Sequence, residues 1–142
     1  MKPYIHTVQY YETDCMGITH HSNYIRWMEE ARMDYLGSLG FGMRRLEAEG
    51  VTSPVVSVDC RYRHPTVFDD EVRIGLRLSA YTGARLSLSY RMTLPDGTEV
   101  CTAGSEHCFI DAAGRPVSLK KRFPAFDAVL RAELEAGEGA EQ

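Results

Sequence analysis

One segment of the chain combines residue types that can do chemistry, TDCMGITHHSNYIRWMEEAR at residues 13–32. Asp14 offers a carboxylate, Gly17 permits a tight turn, and His20 and His21 place two imidazoles directly ahead of a helical pattern. Such residues can form a helix or turn cap, a metal site or a hydrolytic centre. Each of these sites makes a different demand on spacing.

A purely structural role is the first alternative. Asp, Ser and Asn side chains often hydrogen-bond to the backbone at turns and helix starts. Asp14 can therefore cap a turn, and Ser22 is predicted to be the N-cap of a helix that starts at Asn23. Gly37 is predicted to end this helix, because glycine readily adopts the left-handed conformation found after helices.

A metal site is the second alternative. Asp14, His20 and His21 are all possible ligands, but adjacent histidines point in different directions, and no HxH, HExxH or Cys/His spacing is present. His64 and His107 could join them only through the fold. The spacing therefore predicts no metal site.

A hydrolytic centre is the third alternative. An ionised carboxylate can attack a carbonyl carbon or activate a water molecule. The first N–H groups of a helix lack intrahelical partners, and the helix dipole favours negative charge beside them. Asp14 lies on the segment that enters the helix, so it can meet a substrate carbonyl that is bound there.

The elements that would position this segment follow from hydrophobic periodicity. Residues 4–12 read as a first strand, and an apolar stripe then has helical spacing. After Gly50 the period changes to two, which predicts a meander of strands with turns at 81–83 and 95–97. The stripe of the helix consists of Tyr24, Trp27, Met28, Ala31 and Tyr35.

The strands and the helix each have one apolar face, so they can bury both by packing together. On residues 71–80 the predicted apolar face runs from Val72 to Ala80 at every second position. A C-terminal helix is predicted over residues 123–136. The result is an α+β domain at residues 1–136, with four or five antiparallel strands around one long helix and a flexible tail at 137–142.

Composition excludes several classes of protein. The chain has 142 residues and a net charge of −4, which argues against a general nucleic-acid binder. The N-terminus shows no signal peptide, and no apolar run is long enough for a membrane span. The four cysteines form no CxxC pair, which is typical of reduced thiols in a cytoplasmic protein.

The segment at residues 13–32 also resembles the signature of hotdog-fold acyl-CoA thioesterases of the 4-hydroxybenzoyl-CoA thioesterase type. The segment RYRHPTVFDDEV at residues 61–72 resembles the part of that family where a strand ends at a proline. The resemblance covers roughly residues 4–130. The positions that fill the family signature are Asp14, Gly17, Ile18, His21, Asn23, Tyr24, Ala31 and Arg32.

The resemblance implies a thioester hydrolase with a hotdog fold, a long helix wrapped by a curved antiparallel sheet. It implies that Asp14 is the nucleophile or general base, and that the backbone N–H near His21 polarises the thioester carbonyl. It implies no cofactor, since coenzyme A is part of the substrate. Thr19 and His20 depart from the small apolar and aromatic residues usual at these positions.

The same resemblance suggests where an acyl-CoA would bind. Gly17, His20, Asn23, Tyr24 and Trp27 are expected to contact the substrate near the thioester, with Met28 in the acyl pocket. The phosphates of CoA need cations, and Lys120 and Lys121 belong to the tightest basic run, LKKR. Arg61 is also proposed for this role, with Arg63 and Arg85 as alternatives.

The family implies a homodimer, in which two sheets join into one, or a homotetramer built from two dimers. Val55–Val58 could supply an interface.

Two other functions remain open on the same fold. One is a module that binds acyl thioesters without catalysis, and the other is a dehydratase or isomerase that uses His20 or His21 as a base.

Overall fold

The computed structural model describes the backbone of residues 2–140 and the side chains of residues 2–137. Five strands form a single antiparallel sheet with the order β1-β3-β4-β5-β2. The strands are β1 (Tyr4–Thr7), β2 (Val55–Tyr62), β3 (Glu71–Tyr81), β4 (Arg85–Thr93) and β5 (Glu99–Cys108). The helices are α1 (Ser22–Ser38), α2 (Met43–Ala48), α3 (Leu119–Arg122) and α4 (Pro124–Ala140).

Helix α1 lies on the inner face of the sheet, as predicted, and all five residues of its apolar stripe are buried. The contact with β2 is direct. The Tyr24 and Tyr62 rings lie 5.1 Å apart, and the Cys60 thiol lies 3.5 Å from the Met28 sulfur. The predicted α+β class and the hotdog architecture are therefore confirmed.

The first strand is shorter than predicted. It ends at Thr7, and residues Tyr10–Glu12 form a single 3₁₀ turn instead of continuing the strand. The physical reason is Glu12, whose carboxylate turns inward and accepts a hydrogen bond from the Gln9 N–H at 2.8 Å. A continuous strand could not place this carboxylate beside the backbone three residues before it.

Both predicted ends of α1 need correction. Ser22 is the first helical residue and not the N-cap, a position that His21 takes. The helix continues through Gly37 and stops where Gly40 adopts a φ of +88°. Phe41 N–H then bonds to the Leu36 carbonyl at 2.9 Å, and Gly40 N–H to the Gly37 carbonyl at 3.0 Å, which closes the helix with a Schellman motif.

Two further boundaries differ from the sequence pattern. A β-bulge between Leu78 and Ala80 turns Ala80 outward and Tyr81 inward, so the predicted apolar face of β3 is interrupted there. Helix α4 runs to Ala140, past the predicted end at residue 136. The last part of the predicted tail, residues 141–142, lies outside the described residues. No helix in the described part of the chain could cross a membrane.

Candidate active site

The segment that enters α1 is anchored by a buried carboxylate. Glu12 is 4% exposed, and its carboxylate accepts hydrogen bonds from the Gln9 N–H at 2.8 Å and from Trp27 Nε1 at 2.7 Å. It also pairs with His6 Nε2 at 2.8 Å, while His6 Nδ1 lies 3.0 Å from Glu30. We call Glu12, Gln9, His6 and Trp27 the Glu12 cluster.

Hydrogen bonding decides the charge of Glu12. Burial alone would raise its pKa, but the hydrogen bonds from Gln9, His6 and Trp27 outweigh this, and the pKa lies below the ordinary value of 4.5. Glu12 is therefore an ionised anchor at neutral pH. Its backbone carbonyl accepts from the His20 N–H at 2.8 Å and from Asn23 Nδ2 at 2.9 Å, so the anchor fixes the start of α1.

Asp14 begins a tight turn two residues after this anchor. Its N–H donates to the Ile18 carbonyl, and its carbonyl accepts from the Gly17 N–H, both at 2.9 Å. Gly17 has a φ of +79°, which confirms the predicted turn glycine. Asp14 Oδ1 accepts the Met16 N–H at 2.8 Å. Asp14 thus does cap a turn, while no described residue donates a hydrogen bond to Oδ2.

The start of α1 lies beside the Asp14 turn, and both line one cleft. Nδ1 of His20 accepts the Ser22 N–H at 3.2 Å and lies 2.8 Å from the Ser22 hydroxyl. The His20 and His21 rings stack with their centroids 4.3 Å apart. Within residues 2–140, the His21 N–H finds no acceptor. A helix start therefore presents an unpaired N–H group next to the Asp14 turn.

A cleft of about 370 Å³ opens between the Asp14 turn, the start of α1 and the end of β2. Asp14, His21 and Tyr24 line it on one side, and Tyr62 lines it on the other. The Tyr62 hydroxyl donates to the His21 carbonyl at 3.1 Å, which ties β2 to the helix start. Burial and the neighbouring Cys60 raise the pKa of Tyr62 to about 12, so this donor keeps its proton.

Three buried hydroxyls fix the floor of the cleft. Thr66 Oγ1 lies 2.6 Å from Thr19 Oγ1 and 3.0 Å from the Tyr24 hydroxyl. The Thr19 N–H also donates to the Thr66 carbonyl at 2.9 Å. Burial raises the pKa of Tyr24, which keeps its hydroxyl protonated. Thr19, one of the two residues that depart from the family signature, therefore joins the Asp14 turn to the segment after β2.

Other predicted site residues lie elsewhere. Trp27 is fully buried and bonded to Glu12, and it does not line the cleft. Arg61 lies between Cys60 and Tyr62, whose side chains face α1, so strand alternation points Arg61 away from the helix. Lys120 and Lys121 lie on α3, which packs against α4. The proposed roles of these residues in substrate binding stay predictions.

The cleft also includes residues to which the sequence pattern gave little or no role. Arg63 and His64 follow β2 and line the cleft beside Tyr62. Arg63 was one alternative for binding phosphates, and its guanidinium lies 3.7 Å from Glu99. The signal in the sequence is Pro65, which lacks an N–H donor and so marks the end of strand pairing just after Arg63 and His64. In the described part of the chain, no group of three or more His, Cys, Asp or Glu residues could hold a metal ion.

Comparison with known proteins places this geometry in a family. A sequence model of the Thioesterase-like superfamily matches residues 8–134. A Bacillus subtilis (strain 168) protein named "Putative acyl-CoA thioesterase YneP" is 34% identical over 118 residues, which cover 82% of this chain and 86% of that protein. Acyl-CoA thioester hydrolase YbgC of Escherichia coli O157:H7 is 29% identical over 91 residues, which cover 64% of this chain and 68% of that protein.

Solved structures agree with these sequence relatives. A DHNA-CoA thioesterase from Staphylococcus aureus superposes with a TM-score of 0.91 at 26% identity, over 99% of this chain and 95% of that one. The family match spans the Asp14 turn, α1, the whole length of β2 to β5 and most of α4. The chain therefore belongs to the Thioesterase-like superfamily.

Proposed function

We propose that this protein hydrolyses acyl-CoA thioesters to a free acid and CoA. The observation that supports the proposal most is that Asp14 and the start of α1 line the same cleft. A carboxylate and an unpaired helix-start N–H are the two groups that thioester hydrolysis needs. The names of the bacterial relatives point to the same reaction.

In the proposed reaction the thioester carbonyl oxygen binds at the start of α1, near the His21 N–H. Asp14 either removes a proton from a water molecule as this attacks the carbonyl carbon, or attacks the carbon itself. The negative charge that develops on the oxygen is stabilised by the N–H and the helix dipole. Collapse of the tetrahedral intermediate breaks the C–S bond and releases CoA thiolate, which needs little help from an acid.

The two roles of Asp14 differ in their intermediates. Direct attack forms an acyl anhydride on Asp14, which water then hydrolyses, whereas general-base catalysis forms no covalent intermediate. Rapid acid quenching followed by mass spectrometry separates them. An increase in protein mass equal to the acyl group, located on Asp14, supports direct attack, and its absence throughout a single turnover supports the general base.

The experiment that tests the function measures thiol release from short-chain, long-chain and aromatic acyl-CoAs. Wild type is compared with Asp14→Asn, because asparagine Oδ1 can still accept the Met16 N–H and preserve the turn. Asp34→Asn is the control, since Asp34 is exposed on α1. We expect Asp14→Asn to lose about 100-fold or more of the rate. If wild type binds these thioesters but cleaves none, the protein is a binding module.

We also propose a homodimer or a dimer of dimers. Strand β2 is a sheet edge that pairs with β5 on one side, and it exposes Val55, Val56 and Val58. Exposed apolar edges are common sites of strand pairing. Light scattering after gel filtration tests this, with Val56→Lys as the variant expected to shift the mass towards the monomer.

We also propose that the protein is cytoplasmic and that its cysteines are reduced thiols. All four cysteines are free in the structure.

A further inference from the structure

A second cavity lies between the middle of α1 and β2, and it shares no lining residue with the cleft. Its volume is about 150 Å³. Its walls include apolar side chains of α1 and β2 and a polar group on the inner face of β4 and β5. The residues that matter here are Met28, Arg32, Val58, Tyr90, Ser105 and His107. We call this space the Arg32 cavity.

Arg32 is a buried cation with almost no partner. It is 5% exposed, and its one hydrogen bond to the described residues runs from a guanidinium nitrogen to the Ser53 carbonyl at 3.3 Å. No carboxylate of residues 2–137 lies within ion-pair distance of it. Glu29, on the rim of the cavity, is exposed. A guanidinium has five N–H donors, and burying them unpaired is unfavourable.

The wall opposite Arg32 also has a free hydrogen-bonding group. The Tyr90 hydroxyl lies 2.7 Å from Ser105 Oγ, which lies 2.7 Å from His107 Nε2. The other ring nitrogen of His107, Nδ1, is buried and has no partner among the described residues. Burial and the charge of Arg32 lower the pKa of His107 to about 4, so the imidazole is neutral at pH 7.

The hydroxyl and imidazole protons of the hydrogen-bonded Tyr90–Ser105–His107 chain can be arranged in more than one way. If His107 carries its proton on Nδ1, Tyr90 donates to Ser105, Ser105 donates to Nε2, and the Nδ1–H remains free. If the proton is on Nε2, a hydroxyl of Tyr90 or Ser105 remains free instead. Every arrangement therefore leaves one donor without an acceptor, beside a cation that also lacks acceptors.

We propose that the Arg32 cavity binds an organic carboxylate with a small apolar body. The carboxylate oxygens accept hydrogen bonds from the Arg32 guanidinium and from the free donor of the Tyr90–Ser105–His107 chain. The apolar body contacts Met28 and Val58. A carboxylate matches the planar guanidinium, and a cavity of about 150 Å³ accommodates a single aromatic ring.

Calorimetric titration tests this proposal with benzoate as the probe and benzamide as its neutral isostere. The proteins are wild type, Arg32→Met and the control Arg44→Met, whose arginine is exposed on α2 and does not line the cavity. We expect wild type to bind benzoate at least tenfold more tightly than benzamide. Arg32→Met should lose at least tenfold in benzoate affinity, and Arg44→Met should change it less than threefold.

Thermal unfolding gives an independent readout that needs no enzymatic activity. Without ligand, Arg32→Met should raise Tm by a few degrees, because an unpaired buried charge is replaced by an apolar side chain of similar length. Benzoate should raise the Tm of wild type and leave that of Arg32→Met unchanged. Since benzoate binds without reacting, the result is independent of whether the protein cleaves thioesters.

Three results would overturn the proposal. Equal affinity for benzoate and benzamide would show an apolar cavity without a carboxylate site. The same Tm shift with chloride at equal ionic strength would show general anion binding. A lower Tm and a smaller oligomer for Arg32→Met, with no benzoate binding to wild type, would show that Arg32 pairs with a second copy of the chain. If Arg32→Met does not fold, the comparison of benzoate with benzamide on wild type decides.

Discussion

Two buried ionisable groups on or beside α1 have opposite surroundings. Glu12 is 4% exposed, and three donors surround its carboxylate. Arg32 is 5% exposed and donates one long hydrogen bond. The Glu12 cluster satisfies its charge within the chain, so it can fix the geometry of the cleft before any ligand arrives. The Arg32 cavity leaves its charge unsatisfied, which is the condition of a site that an added molecule completes.

The largest expected effect comes from breaking the Glu12 cluster. Glu12→Leu leaves the buried Trp27 N–H without an acceptor, removes the acceptor of the Gln9 N–H, and removes the carboxylate that pairs with His6. We expect the free energy of unfolding to fall by about 3–5 kcal/mol, measured by urea denaturation. Glu30→Gln is the control, because Glu30 also contacts His6 but is 45% exposed. A loss below 1 kcal/mol for Glu12→Leu would show that the cluster is not an anchor.

The second prediction uses pH to compare the two regions. The pKa of His107 is about 4 when folded against 6.5 when unfolded, so the unfolded state binds more protons between these values. The free energy of unfolding should therefore decrease as the pH falls from about 6.5 to 4, by roughly 2–3 kcal/mol. Glu12, whose folded pKa is lowered, adds a loss in the same direction below about pH 4.5.

The His107→Gln variant separates these two contributions. Glutamine can still hydrogen-bond to Ser105 and does not titrate, so the slope between pH 6.5 and 4.5 should largely disappear, while the loss at lower pH should persist. Urea denaturation at several pH values measures both. An unchanged slope in His107→Gln would mean that other groups cause the loss of stability in acid.

A smaller effect is expected from the hydroxyl chain under the cleft. Thr66→Val keeps the shape of the side chain but removes the hydroxyl that lies between Thr19 and Tyr24. We expect a loss of about 1–2 kcal/mol in the free energy of unfolding, because buried polar groups lose their partner. Thr7→Val, at an exposed position of β1, should change it by less than about 0.5 kcal/mol. Equal effects of the two variants would contradict a role for the chain of hydroxyls.

The smallest effect concerns which cations bind the phosphates of CoA. Arg63 lines the cleft, whereas Lys120 and Lys121 lie on α3. We expect Arg63→Ala to raise the KM for acyl-CoA by about threefold to tenfold, with little change in kcat. The double variant Lys120→Ala, Lys121→Ala should raise KM less than Arg63→Ala, because no residue of α3 lines the cleft. The reverse pattern would show that the basic run of α3 binds CoA.

Periodicity predicted what depends on neighbours in sequence. The stripe from Tyr24 to Tyr35 is buried because helical spacing places its members on one face, and the alternation of Leu86, Leu88 and Tyr90 placed β4 correctly. The same local patterns mislead where a distant group intervenes. The strand pattern of residues 4–12 breaks because Glu12 is drawn inward by Trp27, which lies fifteen residues later.

Only the part of the site that lies just before α1 and at its start could be predicted from the sequence. Asp14, Gly17 and His21 are close in sequence, so their spacing shows that they can meet. Tyr62 reaches the His21 carbonyl across 41 residues, and this contact depends on how β2 packs against α1. Arg61 and Arg63 look equivalent in sequence, yet the packing of β2 puts Arg63 at the cleft. The Arg32 cavity needs three strands and α1 together, so no local pattern marks it.

The rate of a single turnover tests the role of Asp14 most directly. With enzyme in excess over an acyl-CoA that wild type cleaves, thiol release reports the chemical step without product release. We expect Asp14→Asn to bind this substrate with an affinity within about threefold of wild type and to release thiol about 100-fold more slowly or worse. A single-turnover rate equal to that of Asp34→Asn and wild type would contradict catalysis by Asp14 and leave it as the cap of a turn.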